Sequence, residues 1–232
     1  MKEAVILAGG FGTRLRSMVS DVPKPMAPVS DRPFLAYLFD RLARQGYTHV
    51  VLSTGYLHEK VESFFGIAYQ EITIDYAREM EPLGTGGAIV NALQYCHGDE
   101  VTVLNGDTLF DVDLNELQRF AAAHDTPLAI VLRRVADAGR YGAVEVAADG
   151  RIVCFREKNP ATGAGCINGG IYQVRRALFD GYRVGEPFSF ERDLMQCRYA
   201  DEPFFAYASD AYFIDIGVPE DYIRAQEELP KL

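Results

Sequence analysis

Five short apolar runs punctuate the first 134 residues: Glu3–Ala8, His49–Thr54, Ile72–Tyr76, Glu100–Leu104 and Leu128–Arg134. Most are unbroken blocks of Val, Ile and Leu, the pattern of a strand buried on both faces. Between them, apolar residues at helical spacing predict helices over Phe34–Arg44, Glu59–Phe65, Gly87–Cys96 and Leu114–His124. Pro33 suits a first turn, and Gly46 and Gly66 follow the ends of two helices. Strand and helix alternating in this order predict an α/β fold, a mostly parallel sheet with helices on both faces.

The pattern changes after Arg134. GAVEVAADGRIVCFREK, residues 142–158, alternates on both sides of Asp149-Gly150 and predicts a hairpin with a two-residue turn. A strand over Ile167–Val174, a helix over Phe190–Tyr199, strands over Phe204–Ala208 and Tyr212–Ile216, and a helix headed by Pro219 follow. The sheet is therefore expected to be mixed. No repeat, linker or low-complexity stretch divides the chain, so residues 1–232 are expected to form one domain. Ligands of such sheets sit beyond the carboxyl ends of the strands.

Composition narrows the choice. Hydrophobic residues make up 48% and charged residues 24%, ordinary for a soluble globular protein. A net charge of −10 argues against a broad nucleic-acid surface, which needs basic residues. The four cysteines form no C-x-x-C pair and have no histidine at ligand spacing, so reduced thiols in the cytoplasm are expected. No apolar stretch approaches the roughly 18 residues of a membrane span, and the start lacks a signal-peptide pattern. His58, His97 and His124 read as surface or helix-end residues.

The chemistry lies at the predicted strand ends. LAGGFGTRL, residues 7–15, follows the first strand. It misses the third glycine of the dinucleotide fingerprint, and the chain has no Gly-Lys pair for a phosphate loop. Its amides and Arg14 can still hold a polyphosphate. PKPM carries Lys24 between prolines, and EPLGTGGA, residues 81–88, opens a helix. LNGD and YFIDIG each end an apolar run on an aspartate, Asp107 and Asp215. Each could cap local backbone N–H groups. Together they also suit Mg²⁺, which takes one or two carboxylates and fills its other positions with water and phosphate oxygens. Glu157-Lys158 and Asn168-Gly169-Gly170 add a charged pair and bare backbone. Asp111-Val112-Asp113 matches the D-x-D signature of glycosyltransferases, but its position past a strand end reads as a loop with Asp113 as a helix N-cap.

In this order, LAGGFGTRL, PKPM, EPLGTGGA, NGD, FREK, NGGIY and IDIGVPEDY resemble the sugar-1-phosphate nucleotidyltransferases over nearly the whole chain. The resemblance implies their Rossmann-like fold, with residues 1–134 mainly binding nucleotide and 135–232 mainly sugar phosphate. Longer relatives carry a C-terminal β-helix; none is expected here. The resemblance gives Leu7, Ala8, Gly9, Gly10, Gly12, Thr13, Gly84, Thr85 and Gly86 to the nucleotide. Arg14 goes to its β- and γ-phosphates, Lys24 to the transferred phosphate, and Asp107 and Asp215 to Mg²⁺. Asn105, Gly142, Glu157, Lys158, Asn168 and Gly169 go to the sugar phosphate.

Relatives that use pyrimidine nucleotides often carry Gln where Glu79 and Glu81 stand here. A carboxylate only accepts hydrogen bonds, and guanine presents two adjacent donors, N1–H and N2–H. GTP is therefore the expected donor, with either glutamate as its reader. DVPKPMAP, LNGDTLFDVDL and RYGAVEV resemble the members of this family that act on a heptose 1-phosphate, and the resemblance implies that acceptor, with mannose and other sugar phosphates, or uridylyl and thymidylyl transfer, as alternatives. A D-x-D glycosyltransferase and a non-catalytic nucleotide-sugar sensor are the readings from other classes. The oligomeric state is left open, a homo-oligomer included.

Overall fold

The computed structural model describes residues 1–10, 19, 21–139, 142–156, 159 and 163–232. Eight strands form the main sheet. Their spatial order is Phe205–Ser209, Leu128–Val135, Gly165–Arg175, Glu100–Asn105, Glu3–Leu7, His49–Thr54, Ile72–Arg78 and Ala68–Tyr69. The strands Glu100–Asn105, Glu3–Leu7, His49–Thr54 and Ile72–Arg78 run parallel. Gly165–Arg175 runs antiparallel to both its neighbours, and so does the two-residue edge strand to its own. The sheet is mixed and mostly parallel, as the pattern predicts.

Period-two alternation divides the core between the two faces of the sheet. Ala4, Ile6, Val50 and Leu52 face Phe34, Leu38, Phe39 and Leu42 of the helix Phe34–Arg44. Val5, Val51 and Val103 face Ile89 and Leu93 of the helix Gly84–Leu93, together with Phe190 and Leu194. The helix Phe34–Arg44 has its predicted bounds, and Leu114–Ala123 ends one residue short of prediction. Asp113 caps the latter: its side chain accepts from Asn115 N–H (2.8 Å) and Glu116 N–H (3.3 Å).

Four elements differ from expectation. The helix expected from Gly87 begins at Gly84, because the segment around Phe188 packs onto its small first residues. Phe190–Met195 is a π-helix, and only Gln196–Arg198 after it is α-helical. The hairpin loop has three residues: Ala147 and Arg151 pair across it (2.8 Å), and Gly150 takes φ +89°, the left-handed position that such a loop requires. Lastly, Phe213–Asp215 stays outside the main sheet. It pairs antiparallel with Thr108–Phe110, placing Asp215 opposite Thr108. This small ladder decides where the chemistry can sit.

Candidate active site

At the carboxyl end of the parallel strands lies a cleft of about 340 Å³. Leu7, Gly9, Gly10, Glu79, Gly84, Thr85, Asn105 and Asp107 line it, with Pro82 and Ala88. Segments from three strand ends and one helix start thus meet there, although they are scattered between residues 7 and 107. Ala8 is buried beneath, its N–H donating to Ser53 O (2.8 Å).

One wall is Glu79. Ser53 Oγ donates to its Oε1 (3.0 Å) and Leu83 N–H to its Oε2 (3.1 Å). An ionised carboxylate offers about four acceptor positions, so both oxygens keep capacity for a ligand. Gly9 makes room for it, since a Cβ at that position would overlap Glu79 Oε1. Glu81 is exposed and does not line the cleft. Gly86 does not line it either; a Cβ there would strike the ring of Phe188. Thr85 Oγ1 accepts from Phe190 N–H (2.9 Å), tying the start of the helix to the π-helical segment.

At the cleft's other side, Asp107 and Asp215 converge on one ammonium. Lys24 Nζ bonds Asp107 Oδ2 and stands 3.6 Å from Asp215 Oδ1. Lys24 belongs to the short 3₁₀ turn Lys24–Met26, whose Pro25 and Met26 are buried, so its backbone is anchored. Asp215 also accepts from Gly217 N–H (2.7 Å). A Cβ at position 217 would crowd Lys24 Nζ and Asp215 Oδ1, so glycine leaves this pair its present arrangement. Burial first, and then the charge of Asp107, push the Asp215 carboxyl above the ordinary carboxylate range, although Lys24 and the Gly217 amide pull it down. Two hard oxygen donors at close quarters, repelling one another, form a donor set that suits Mg²⁺.

Asn105 carries the cleft toward the next strand, where a Cβ on Gly170 would meet its side-chain amide. Asn168 Oδ1 accepts from Gly170 N–H (3.0 Å), and Asn168 Nδ2 donates to Tyr172 Oη (2.8 Å) and Glu191 Oε1 (2.6 Å). Gly169 lies against the Phe110 ring and Val131 O. Gly142 starts the hairpin, its N–H donating to Ala138 O (3.1 Å), and does not line the cleft. Gly12, Thr13, Arg14, Glu157 and Lys158 lie outside the described residues. The D-x-D aspartates are otherwise engaged: Asp111 pairs with Arg41 and Asp113 caps its helix.

Sequence reading missed Ser53 and Glu191, polar side chains that hold the candidate ligand groups in place. Their only signal was a serine ending an apolar strand and the acid of FSFE. It also missed a cluster at the opposite end of the sheet. Among the described residues, Glu3, His49 and His97 form a group able to hold a divalent metal ion, their ligand atoms all within 4.8 Å of one another.

A cleft at the carboxyl end of parallel strands, lined by glycines and acids, is the place where α/β sheets bind nucleotides, and the chain belongs to the nucleotidyl transferase family, whose profile matches residues 3–231. Over 98% of its length it is 46% identical to the D-glycero-alpha-D-manno-heptose 1-phosphate guanylyltransferase of Aneurinibacillus thermoaerophilus, covering 98% of that protein. It is 43% identical to the enzyme of the same description from Campylobacter jejuni, over 95% of this chain and 96% of the other. The crystal structure of HddC from Yersinia pseudotuberculosis complexed with GMP-PN matches it with a TM-score of 0.85 and 37% identity, over 98% of this chain and 99% of that one.

Proposed function

We propose that this enzyme transfers GMP from GTP to D-glycero-α-D-manno-heptose 1-phosphate, releasing pyrophosphate and forming GDP-heptose. The observation that carries the reading is that two acids, Glu79 and Asp107, line one cleft together with Gly9 and Gly10; in this reading the first takes the base and the second the metal. Similarity to heptose 1-phosphate guanylyltransferases over nearly their full lengths supports the choice of sugar.

Glu79, rather than Glu81, reads guanine. Its two oxygens, fixed by Ser53 and Leu83, accept N1–H and N2–H as a charge-assisted pair. Gly9, Gly10, Gly12 and Thr13 line the triphosphate, with Arg14 on its leaving end. Asn105, Asn168, Gly169, Gly142, Glu157 and Lys158 take the sugar phosphate, whose side of the site comes mainly from residues 135–232. Asn168 is pre-set by Tyr172 and Glu191.

A sugar phosphate is already an anion at neutral pH, so no general base is needed. The barrier is repulsion between that anion and the α-phosphate, and it is lowered by positioning and charge stabilisation. Asp107 and Asp215 would hold Mg²⁺, which would supply Lewis-acid stabilisation of charge at the transferred phosphate. Lys24 neutralises the two carboxylates and stands ready to meet charge on the transferred phosphate. Among the described residues no helix is long and apolar enough to cross a membrane, and a cytoplasmic location is part of the reading.

The test is a matrix of four nucleoside triphosphates against several sugar 1-phosphates, scored by pyrophosphate release. GTP with the heptose phosphate should give the highest kcat/KM. A higher value for mannose 1-phosphate, or for UTP or dTTP, would overturn the reading.

A further inference from the structure

Glu3 and His49 are register partners at the amino ends of adjacent parallel strands. Both are almost fully buried, at 4% and 3% exposure. The turn after the helix Gly84–Leu93 lays His97 over them, with its side chain 69% exposed. Glu3 Oε1 lies 2.8 Å from His49 Nδ1 and 3.0 Å from His97 Nδ1, so both rings point the same nitrogen at one oxygen. The ring centroids are 5.4 Å apart. On its far side, His49 Nε2 lies 2.9 Å from Asp75 Oδ2.

Two imidazoles and one carboxylate are a poor set for Mg²⁺, which prefers oxygen throughout, and a good one for Zn²⁺. Zn²⁺ commonly takes three protein ligands of these types and leaves a fourth position to water. A ligating histidine usually donates its other ring N–H to a carboxylate, which fixes its tautomer. Asp75 occupies that place for His49. The exposed His97 provides both the entry path and an arm free to adjust. Cys96, next to His97, is not part of this group: it is buried and its Sγ bonds Ala92 O instead (3.8 Å).

We propose that Glu3, His49 and His97 bind one Zn²⁺ through a carboxylate oxygen and the two Nδ1 atoms, with Asp75 orienting His49. The site is separate from the nucleotide cleft: four residue steps along the strand Glu3–Leu7 put it about 13 Å from that end. Its effect is structural, tying two core strands to the turn at residues 97–98. Protons compete for the same nitrogens, so affinity falls as the pH is lowered.

Tag-free full-length protein, stripped with a chelator, is titrated with Co²⁺ and followed by ligand-field absorption, then with Zn²⁺ by calorimetry. One equivalent should bind, with tetrahedral Co²⁺ bands that Zn²⁺ abolishes. His97→Ala, at an exposed position, should lose this binding. Asp75→Asn should weaken it by about 10–100-fold, as the loss of an outer-shell partner does. Absence of stoichiometric binding, or binding that survives in His97→Ala, overturns the proposal and leaves a hydrogen-bonded cluster only. Unchanged affinity in Asp75→Asn overturns the part given to Asp75.

Discussion

The two ends of the same parallel strands treat their acids in opposite ways. At the amino end, burial alone would raise the Glu3 carboxyl. Hydrogen bonds from His49 and His97 side chains and from the Gly98 and His97 amides outweigh it and hold the group at about 2. At the carboxyl end, burial and the charge of Asp107 prevail over Lys24 and one amide, and Asp215 sits above the ordinary range. Donor supply makes the difference. Glu3 alone meets two backbone amides of a turn and two imidazoles, whereas Asp107 and Asp215 share one ammonium and have besides it one hydroxyl, of Thr108, and one amide, of Gly217. A carboxyl raised in this way beside a cleft, as that of Asp215 is, is a candidate for receiving a cation.

The sharpest way to break this comparison is to remove the charge at the carboxyl end. Asp107→Asn keeps the shape and a hydrogen-bonding group but loses the anion. We expect kcat for pyrophosphate release to fall at least about 10²-fold, comparable to losing one pre-organised electrostatic contact in other enzymes. Near-normal turnover would remove Asp107 from the machinery. Asp215→Asn should behave alike, with folding checked by circular dichroism.

A smaller effect is expected at the cleft wall. Glu79→Gln puts an amide N–H against guanine N2–H and removes a charged acceptor. Loss of a charge-assisted bond costs about 1.5–3 kcal/mol, or roughly 10–100-fold in kcat/KM for GTP. The discriminating measurement is the GTP to ITP ratio, because inosine lacks the N2 amine. The ratio should shrink in Glu79→Gln and stay unchanged in Glu81→Gln. If only the second variant moves it, the base is read from the exposed position instead.

The acid at the amino end, in metal-free protein, should show itself in stability and not in turnover. The unfolded Glu3 carboxyl takes a proton near 4.5 and the native one near 2, so in this window the unfolded chain binds more protons. Stability therefore rises with pH through the window and is lost on acidification. Urea midpoints of Glu3→Gln, measured above 4.5 and midway toward 2, should fall less between the two conditions than those of the wild type. An equal fall would mean that the Glu3 network contributes nothing to acid stability.

How much of this could be read from the residues depends on the length of the signal. The four parallel core strands and the helix Phe34–Arg44 were legible because continuous apolar blocks and helical spacing persist over five or more residues. The cleft was legible because its glycines and acids follow those blocks directly. The direction of Gly165–Arg175 was not, since a hydrophobic pattern reads the same in either sense. The pairing of Asp107 and Asp215 was expected from residue type and family resemblance, but the means of it was not, since it depends on two three-residue strands, Thr108–Phe110 and Phe213–Asp215, too short to leave a pattern. His49 and Glu3 escaped notice because only the register of two strands, with a turn 94 positions away, brings them together with His97.

The smallest effect sharpens the comparison most, because it separates donor supply from location. Asp113 lies near the carboxyl end of the sheet and inside a D-x-D match, yet it belongs with Glu3 in kind. Two backbone amides of its helix satisfy it, and its carboxyl falls below the ordinary range; burial would raise it, but the bonds from Asn115 and Glu116 N–H win. Asp113→Ala should then cost about 1 kcal/mol of stability, the usual loss for an N-cap, seen as a lower urea midpoint. Turnover with saturating Mg²⁺ and its metal dependence should not change. A rise in the Mg²⁺ requirement of Asp113→Ala would mean that the D-x-D segment, rather than the Asp107–Asp215 pair alone, handles the cation, and proximity to the cleft would then outweigh the supply of donors.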